Sequence, residues 1–130
     1  MVATSHDVMP DIELYQPTDE ANALALADTL GADGWLLGGG QDTYGWLKDR
    51  NKTPAAMIEL TQVDAWKGIT ETADGVEIGA VTTLTEIATN ALILSKYALL
   101  STAASRVASP QIRNVGTLGG NLIQDARCWY

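Results

Sequence analysis

Two glycine clusters constrain this chain more than any other feature. The first, Gly38-Gly39-Gly40, follows the apolar Trp35-Leu36-Leu37 and precedes the polar Gln41-Asp42-Thr43. The second lies within Gly116-Thr117-Leu118-Gly119-Gly120-Asn121. Glycines without a Cβ let successive backbone N–H groups converge on one point, which is how a loop leaving a strand can hold a phosphate. The plainer reading of each cluster is a tight turn. A dinucleotide fingerprint G-x-G-x-x-G on Gly38 and Gly40 would need glycine in place of Thr43, and no Lys-Ser or Lys-Thr follows to make a P-loop, so a phosphate here belongs to another fold. The second cluster adds a hydroxyl at Thr117 and, at Asn121, an amide that both donates and accepts. Its alternative is a turn with Asn121 in a left-handed conformation. Two separate loops suit a ligand with two phosphates.

Net charge narrows the partners. Sixteen acidic against eight basic side chains give −8 over 130 residues, spread along the chain. Such a surface repels polyanions, so nucleic acid is excluded as a partner, while backbone donors remain able to bind a small anion. No run of about 18 apolar residues could span a membrane, and the N-terminal stretch lacks the basic-then-apolar order of a secretory signal. A soluble, cytoplasmic protein is expected. Cys128 is the only cysteine, so neither an internal disulfide nor a complete thiolate cage can form from these residues. His6 reads as an N-terminal residue and not as a ligand, and the four tryptophans read as packing residues.

The segments between the clusters mix strands and helices. Period-two alternation predicts a strand over Asp11 to Pro17. A helix is then expected with Thr18 as N-cap, Ala23, Leu26, Ala27 and Leu30 on one face, and Gly31 at its end. Trp35 to Leu37 reads as a short buried strand and Ala55 to Leu60 as the next strand, and a hairpin is expected around Asp74-Gly75. Thr83 and Glu86 form a capping-box pattern for a short helix. Leu100, Ala103, Ala104 and Val107 fall at helical spacing, with Pro110 as the stop. Short connections between mixed elements argue for the α+β class.

Three segments, LLGGGQDTYGWLK, VEIGAVTTLTEI and QIRNVGTLGGNL, occur in the order and at about the spacing of the FAD-binding (medium) subunits of the molybdenum hydroxylase family. That family includes xanthine dehydrogenases, carbon monoxide dehydrogenase and 4-hydroxybenzoyl-CoA reductase, and the chain resembles it over nearly its whole length. The resemblance implies a vanillyl-alcohol-oxidase (PCMH)-type FAD-binding domain, with a first lobe over about residues 1–62, the start of a second over about 63–130, and FAD between them. It implies that Gly38, Gly39, Gly40, Gln41, Asp42 and Thr43 cradle the pyrophosphate and that Thr82 lies near the cofactor. Ala108, Gly116, Thr117, Gly119, Gly120 and Asn121 match the second flavin-binding segment. Gln41 departs from the Thr or Ser of many relatives, and Gly38 stands where Ala is common; neither change removes a backbone donor.

By the same resemblance the chain is an oxidoreductase subunit that transfers electrons, with no side chain serving as acid, base or nucleophile. Its partners would be a molybdopterin-binding large subunit, carrying the molybdenum cofactor, and a small subunit carrying 2Fe-2S clusters. The family's subunits are longer, and a chain closing on Cys128, Trp129 and Tyr130 looks cut, so an N-terminal fragment, inactive by itself, is expected. In some members an inserted loop holds a 4Fe-4S cluster through several cysteines, the first of them where Cys128 stands. Cys128 is therefore either a cluster ligand completed by cysteines beyond Tyr130 or an ordinary thiol. A self-contained FAD oxidoreductase of the same fold and a non-catalytic docking scaffold are the rival functions.

Overall fold

The structure, a computed structural model, describes residues 11–125. His6, Cys128 and Trp129 lie outside the described residues. The chain divides after Ala65 into two compact units.

In the first unit the order is β1 (Glu13–Tyr15), α1 (Glu20–Leu30), β2 (Gly34–Leu37), α2 (Thr43–Lys48) and β3 (Ala56–Glu59). The three strands form a parallel sheet ordered β1-β3-β2, with Leu14, Met57 and Trp35 in one row. Parallel neighbours cannot be joined by a tight turn, so a helix intervenes between each successive pair of strands. Helix α1 buries Ala23 and half-buries Leu26, Ala27 and Leu30, the face expected from spacing. Its cap is Asp19, not Thr18: the Asp19 carboxylate accepts from the Asn22 N–H at 2.9 Å and from Asn22 Nδ2 at 2.6 Å. A carboxylate at this position both fills an orphan donor and meets the positive helix end, an advantage a hydroxyl one residue earlier lacks. Gly31, at φ 51°, closes the helix by donating to Ala27.

Leu37, Leu47 and Met57 pack together with Ile12 and Trp35 on one face of this sheet. Trp46 meets Trp35 edge to face, with ring centroids 5.7 Å apart. Leu47 and Ile58 are completely buried, each contributing about 1.5–3 kcal/mol through lost apolar exposure. The β2 segment is only partly the buried strand expected. Leu37 is covered, but Leu36 is half exposed because β2 is an edge strand.

In the second unit an antiparallel hairpin of β4 (Ile69–Thr72) and β5 (Gly75–Ile78) precedes α3 (Leu84–Thr89), α4 (Ala91–Lys96), α5 (Ala98–Arg106), α6 (Pro110–Arg113) and α7 (Leu118–Leu122). Thr72 pairs with Gly75, so the hairpin turn is Ala73-Asp74 and not Asp74-Gly75. This register puts Ile69, Val76 and Ile78 on the core of Leu84, Ile87, Ile93 and Ala104; a slip by one residue would turn them to solvent. Lys96 pairs with Glu71 of β4, and this bond holds the Lys96 ammonium above its ordinary pKa.

Both halves of the capping box are present. The Thr83 N–H donates to Glu86 Oε2 at 2.7 Å, and the Glu86 N–H donates to Thr83 Oγ1 at 3.2 Å. Helix α5 ends at Arg106, earlier than a stop at Pro110 would require, and Pro110 instead opens α6 behind the Ser109 cap. Proline fits the first helical position because its missing N–H has no partner to lose there. Helix α4, capped by Asn90 Oδ1, was not foreseen, since six residues are too few for a period to show. Among the described residues, no helix is long and apolar enough to cross a membrane.

Candidate functional site

The two glycine clusters sit in different units, and each has its own construction. In the first, the chain leaves the edge of the sheet at Leu37 and turns through Gly38, Gly39 and Gly40 into α2. Gly40 has φ 72°, and a Cβ there would meet Tyr44 Cε2 at 2.7 Å, so both backbone conformation and space call for glycine. Gly40 accepts through its carbonyl from the Tyr44 N–H at 3.2 Å, and Gly39 accepts from Gln41 Nε2 at 3.2 Å. The N–H groups of Gly39, Gly40 and Gln41 have no protein acceptor among the described residues. Successive unspent donors around a left-handed glycine form a concavity suited to an anion.

The side chains around this loop are structural. The Trp35 indole N–H donates to Thr43 Oγ1 at 3.1 Å, fastening the start of α2 to the strand before the loop. Lys52 Nζ lies 5.8 Å from the ring centroids of both Trp35 and Trp46, which places a cation over the aromatic pair. Thr43 thus orients the loop with its hydroxyl committed to Trp35.

The second cluster is not the open turn its glycines suggest. Leu118–Leu122 is helical, and Thr117 is its cap, accepting through Oγ1 from the Gly120 N–H at 3.3 Å. This segment runs antiparallel to Ala80–Leu84. The Leu84 N–H donates to Gly116 O at 2.9 Å, the Leu118 N–H to Thr82 O at 2.9 Å, and the Gly119 N–H to Ala80 O at 2.8 Å, around a bridge between Thr83 and Thr117. Two of the three sequence motifs are therefore laced together by backbone. The Asn121 N–H goes to Thr117 O at 3.1 Å, so the N–H groups of residues 118 to 121 are all spent inside the protein. What remains is the N–H of Thr117, a residue only 2% exposed, and the side-chain oxygen Oδ1 of Asn121, neither with a protein partner among the described residues, while the Asn121 backbone carbonyl accepts from Gln124 Nε2 at 3.0 Å. Asn121 is helical and holds Thr117 O through Nδ2 at 2.8 Å, not left-handed.

Glycine has an internal reason at several of these positions. A Cβ on Gly119 would lie 3.0 Å from Ala80 O, and one on Gly116 would lie 3.0 Å from Ile112 O. Gly120 is exposed, and a Cβ there would approach only Thr117 Oγ1, at 3.2 Å. Thr82 is 1% exposed, and its hydroxyl both accepts from the Gly68 N–H at 2.9 Å and donates to Gly68 O at 3.1 Å. Its side chain fastens the segment before the hairpin to the motif after it.

Ala108 is exposed and has φ 41°, a left-handed conformation that alanine adopts only at a cost. Arg113 Nη1 donates to Val107 O at 2.7 Å and to Ala108 O at 3.1 Å. Arg113 and Gly79 were not singled out from sequence. A Cβ on Gly79 would lie 2.3 Å from Trp66 O, and a lone glycine inside a strand-like pattern is the only signal that could have pointed to it. Among the described residues, no group of three or more His, Cys, Asp or Glu side chains could hold a metal.

A parallel three-stranded unit with a glycine loop of unspent donors between β2 and α2, followed by a hairpin-and-helix unit with a second glycine segment, defines a mixed α and β domain. The sequence profile of the FAD binding domain in molybdopterin dehydrogenase matches residues 10–128, and the chain belongs to that family. It is similar to the carbon monoxide dehydrogenase medium chain of Hydrogenophaga pseudoflava, 33% identical over 115 residues, which cover 88% of this chain and 40% of that one. It is also similar to the nicotinate dehydrogenase FAD-subunit of Eubacterium barkeri, 35% identical over 116 residues, which cover 88% of this chain and 39% of the other. Among solved structures, the carbon monoxide dehydrogenase of Hydrogenophaga pseudoflava that lacks the Mo-pyranopterin moiety superposes with a TM-score of 0.85 at 33% identity, covering 88% of this chain and 40% of that one. The chain thus spans about 40% of the length of these relatives.

Proposed function

We propose that the chain is part of the FAD-binding, electron-transferring subunit of a multi-subunit molybdenum hydroxylase, with a PCMH-type fold. The observation that carries this reading is the first glycine loop, whose N–H groups at Gly39, Gly40 and Gln41 have no protein partner among the described residues. Three donors at one concave loop suit a diphosphate in a chain of net charge −8, where clustered lysines are absent. In the second glycine segment the Thr117 N–H and the Asn121 side-chain oxygen Oδ1 are the groups left to meet the cofactor, with Gly116, Gly119 and Gly120 shaping the backbone that presents them. The site residues fit the group in this sense: spent donors lie where the fold needs them, and the N–H groups of Gly39, Gly40 and Gln41 are left without a protein acceptor among the described residues.

Bound FAD would supply the electron-carrying chemistry, and the protein's part is to hold and orient it. Gly39, Gly40 and Gln41 donate to phosphate oxygens, and Trp35 fixes Thr43 so that the loop does not drift. Thr82, through Gly68, keeps the second segment in register. The partners in this reading are a molybdopterin-binding large subunit and a small subunit with 2Fe-2S clusters, with electrons leaving to an external acceptor or arriving from a donor. A 4Fe-4S cluster through Cys128 and further cysteines belongs to the same reading, and Cys128→Ser would then lower iron content with FAD retained.

The test is flavin occupancy of the complete gene product, measured by absorbance after purification. Gly39→Val puts a branched side chain into the loop, and Asn121→Ala removes the side-chain oxygen Oδ1 left open in the second segment. Gly39→Val is expected to cut affinity about tenfold or more, the loss of a charge-assisted contact, and Asn121→Ala about threefold to tenfold, the loss of a neutral hydrogen bond, each read as lower occupancy. Full occupancy in both variants overturns the reading.

A further inference from the structure

We propose that Arg113 is a positioning residue for the cofactor site: it holds the Val107-Ala108-Ser109 corner in a strained form whose backbone N–H groups face the ligand. The inference rests on the flavin reading above and adds to it a residue, a mechanism and a pair of donors. It starts from a conflict. Ala108 has φ 41°, a conformation disfavoured for a residue with a Cβ. Its methyl is exposed, so no burial offsets the strain. Something else must hold it.

Arg113 supplies the hold. One guanidinium nitrogen, Nη1, donates to two consecutive carbonyls, Val107 O at 2.7 Å and Ala108 O at 3.1 Å. In an extended chain consecutive carbonyls alternate in direction, so a single donor reaches both only where the intervening residue turns out of the extended region. The positive φ of Ala108 is that turn. The described peptides are trans, and in a trans peptide the N–H points opposite to its own C=O. The N–H groups of Ala108 and Ser109 are therefore directed away from Arg113, and neither has a protein acceptor among the described residues. Two adjacent donors on one side of a bend suit an acceptor atom of a cofactor, and without the clamp the corner relaxes and the pair diverges. Strain held for a purpose by surrounding contacts is the usual sense of such an outlier at a binding site.

The experiment pairs a loss with a rescue in the complete gene product. Arg113→Met keeps much of the side-chain bulk and removes the donor, and is expected to weaken FAD binding about tenfold, the cost of a left-handed alanine no longer compensated. Ala108→Gly added to Arg113→Met is expected to restore affinity to within about threefold of the unaltered protein, because glycine takes this φ freely. Arg113→Lys keeps a single cationic donor and is expected to bind FAD nearly as the unaltered protein does. A purely structural role for Arg113 would lower the melting temperature of the FAD-free protein without rescue by Ala108→Gly. Full FAD affinity in Arg113→Met, or no rescue by the double variant, overturns the inference. If Arg113→Met does not fold, the double variant must fold for the proposal to stand. Failure of the flavin reading is seen separately, in Gly39→Val and Asn121→Ala.

Discussion

Gly119 donates its N–H to Ala80 O at 2.8 Å, and a methyl on its α-carbon would lie 3.0 Å from that same oxygen and 3.3 Å from Ala80 Cβ. One contact thus joins two motifs that are far apart in sequence, and it explains a glycine inside a helix, where glycine is otherwise a poor choice.

Gly119→Ala sets two effects against each other. Alanine in α7 is favoured over glycine by about 1 kcal/mol, while overpacking against backbone costs about 1–3 kcal/mol. The neighbour is a carbonyl held by its own hydrogen bond, so the cost wins and the variant is expected to be less stable. Denaturant titration of the purified protein checks the sign; a raised midpoint shows that Ala80 can give way.

Gly79→Ala is expected to be the more damaging of the two. Its Cβ would lie 2.3 Å from Trp66 O and 2.8 Å from the Lys67 nitrogen, both backbone. No rotation of a side chain relieves that, and the bonds from Gly79 N–H to Gly68 O and from Val81 N–H to Trp66 O must part. A loss of about 3 kcal/mol follows. Chemical denaturation side by side with Gly119→Ala gives the ranking, and the reverse order counts against this account.

Thr82→Val preserves shape and deletes a hydroxyl that makes two bonds to Gly68. Leaving a buried N–H and C=O without a partner costs about 1–3 kcal/mol, whereas Thr82→Ser keeps the oxygen and loses only a buried methyl. Valine is therefore expected to destabilise more than serine, as thermal melts of the two variants will read. Equal losses would show that packing, not hydrogen bonding, is what Thr82 contributes.

Local chemistry was legible in the chain before any fold was known. The Thr83–Glu86 capping box, the apolar face of α1 and its Gly31 end depend on groups within one or two helical turns, so their residue types suffice to announce them. The glycine clusters were legible as places of close approach, and the order of the three motifs carried the family. Tertiary structure decided what those glycines approach. Gly119 needs Ala80, Gly79 needs Trp66 and Gly116 needs Ile112, and among the described residues the first cluster keeps three successive N–H donors unspent where the second keeps that of Thr117. The hairpin register moved by one residue because Ile69, Val76 and Ile78 must face Leu84 and Ile87, a demand that comes from another part of the unit. Ala108 shows the division most clearly. Nothing about an alanine between valine and serine announces a left-handed backbone; the conformation is set by an arginine five residues on, and a hydrogen bond formed only on folding outweighs the local preference that sequence can express.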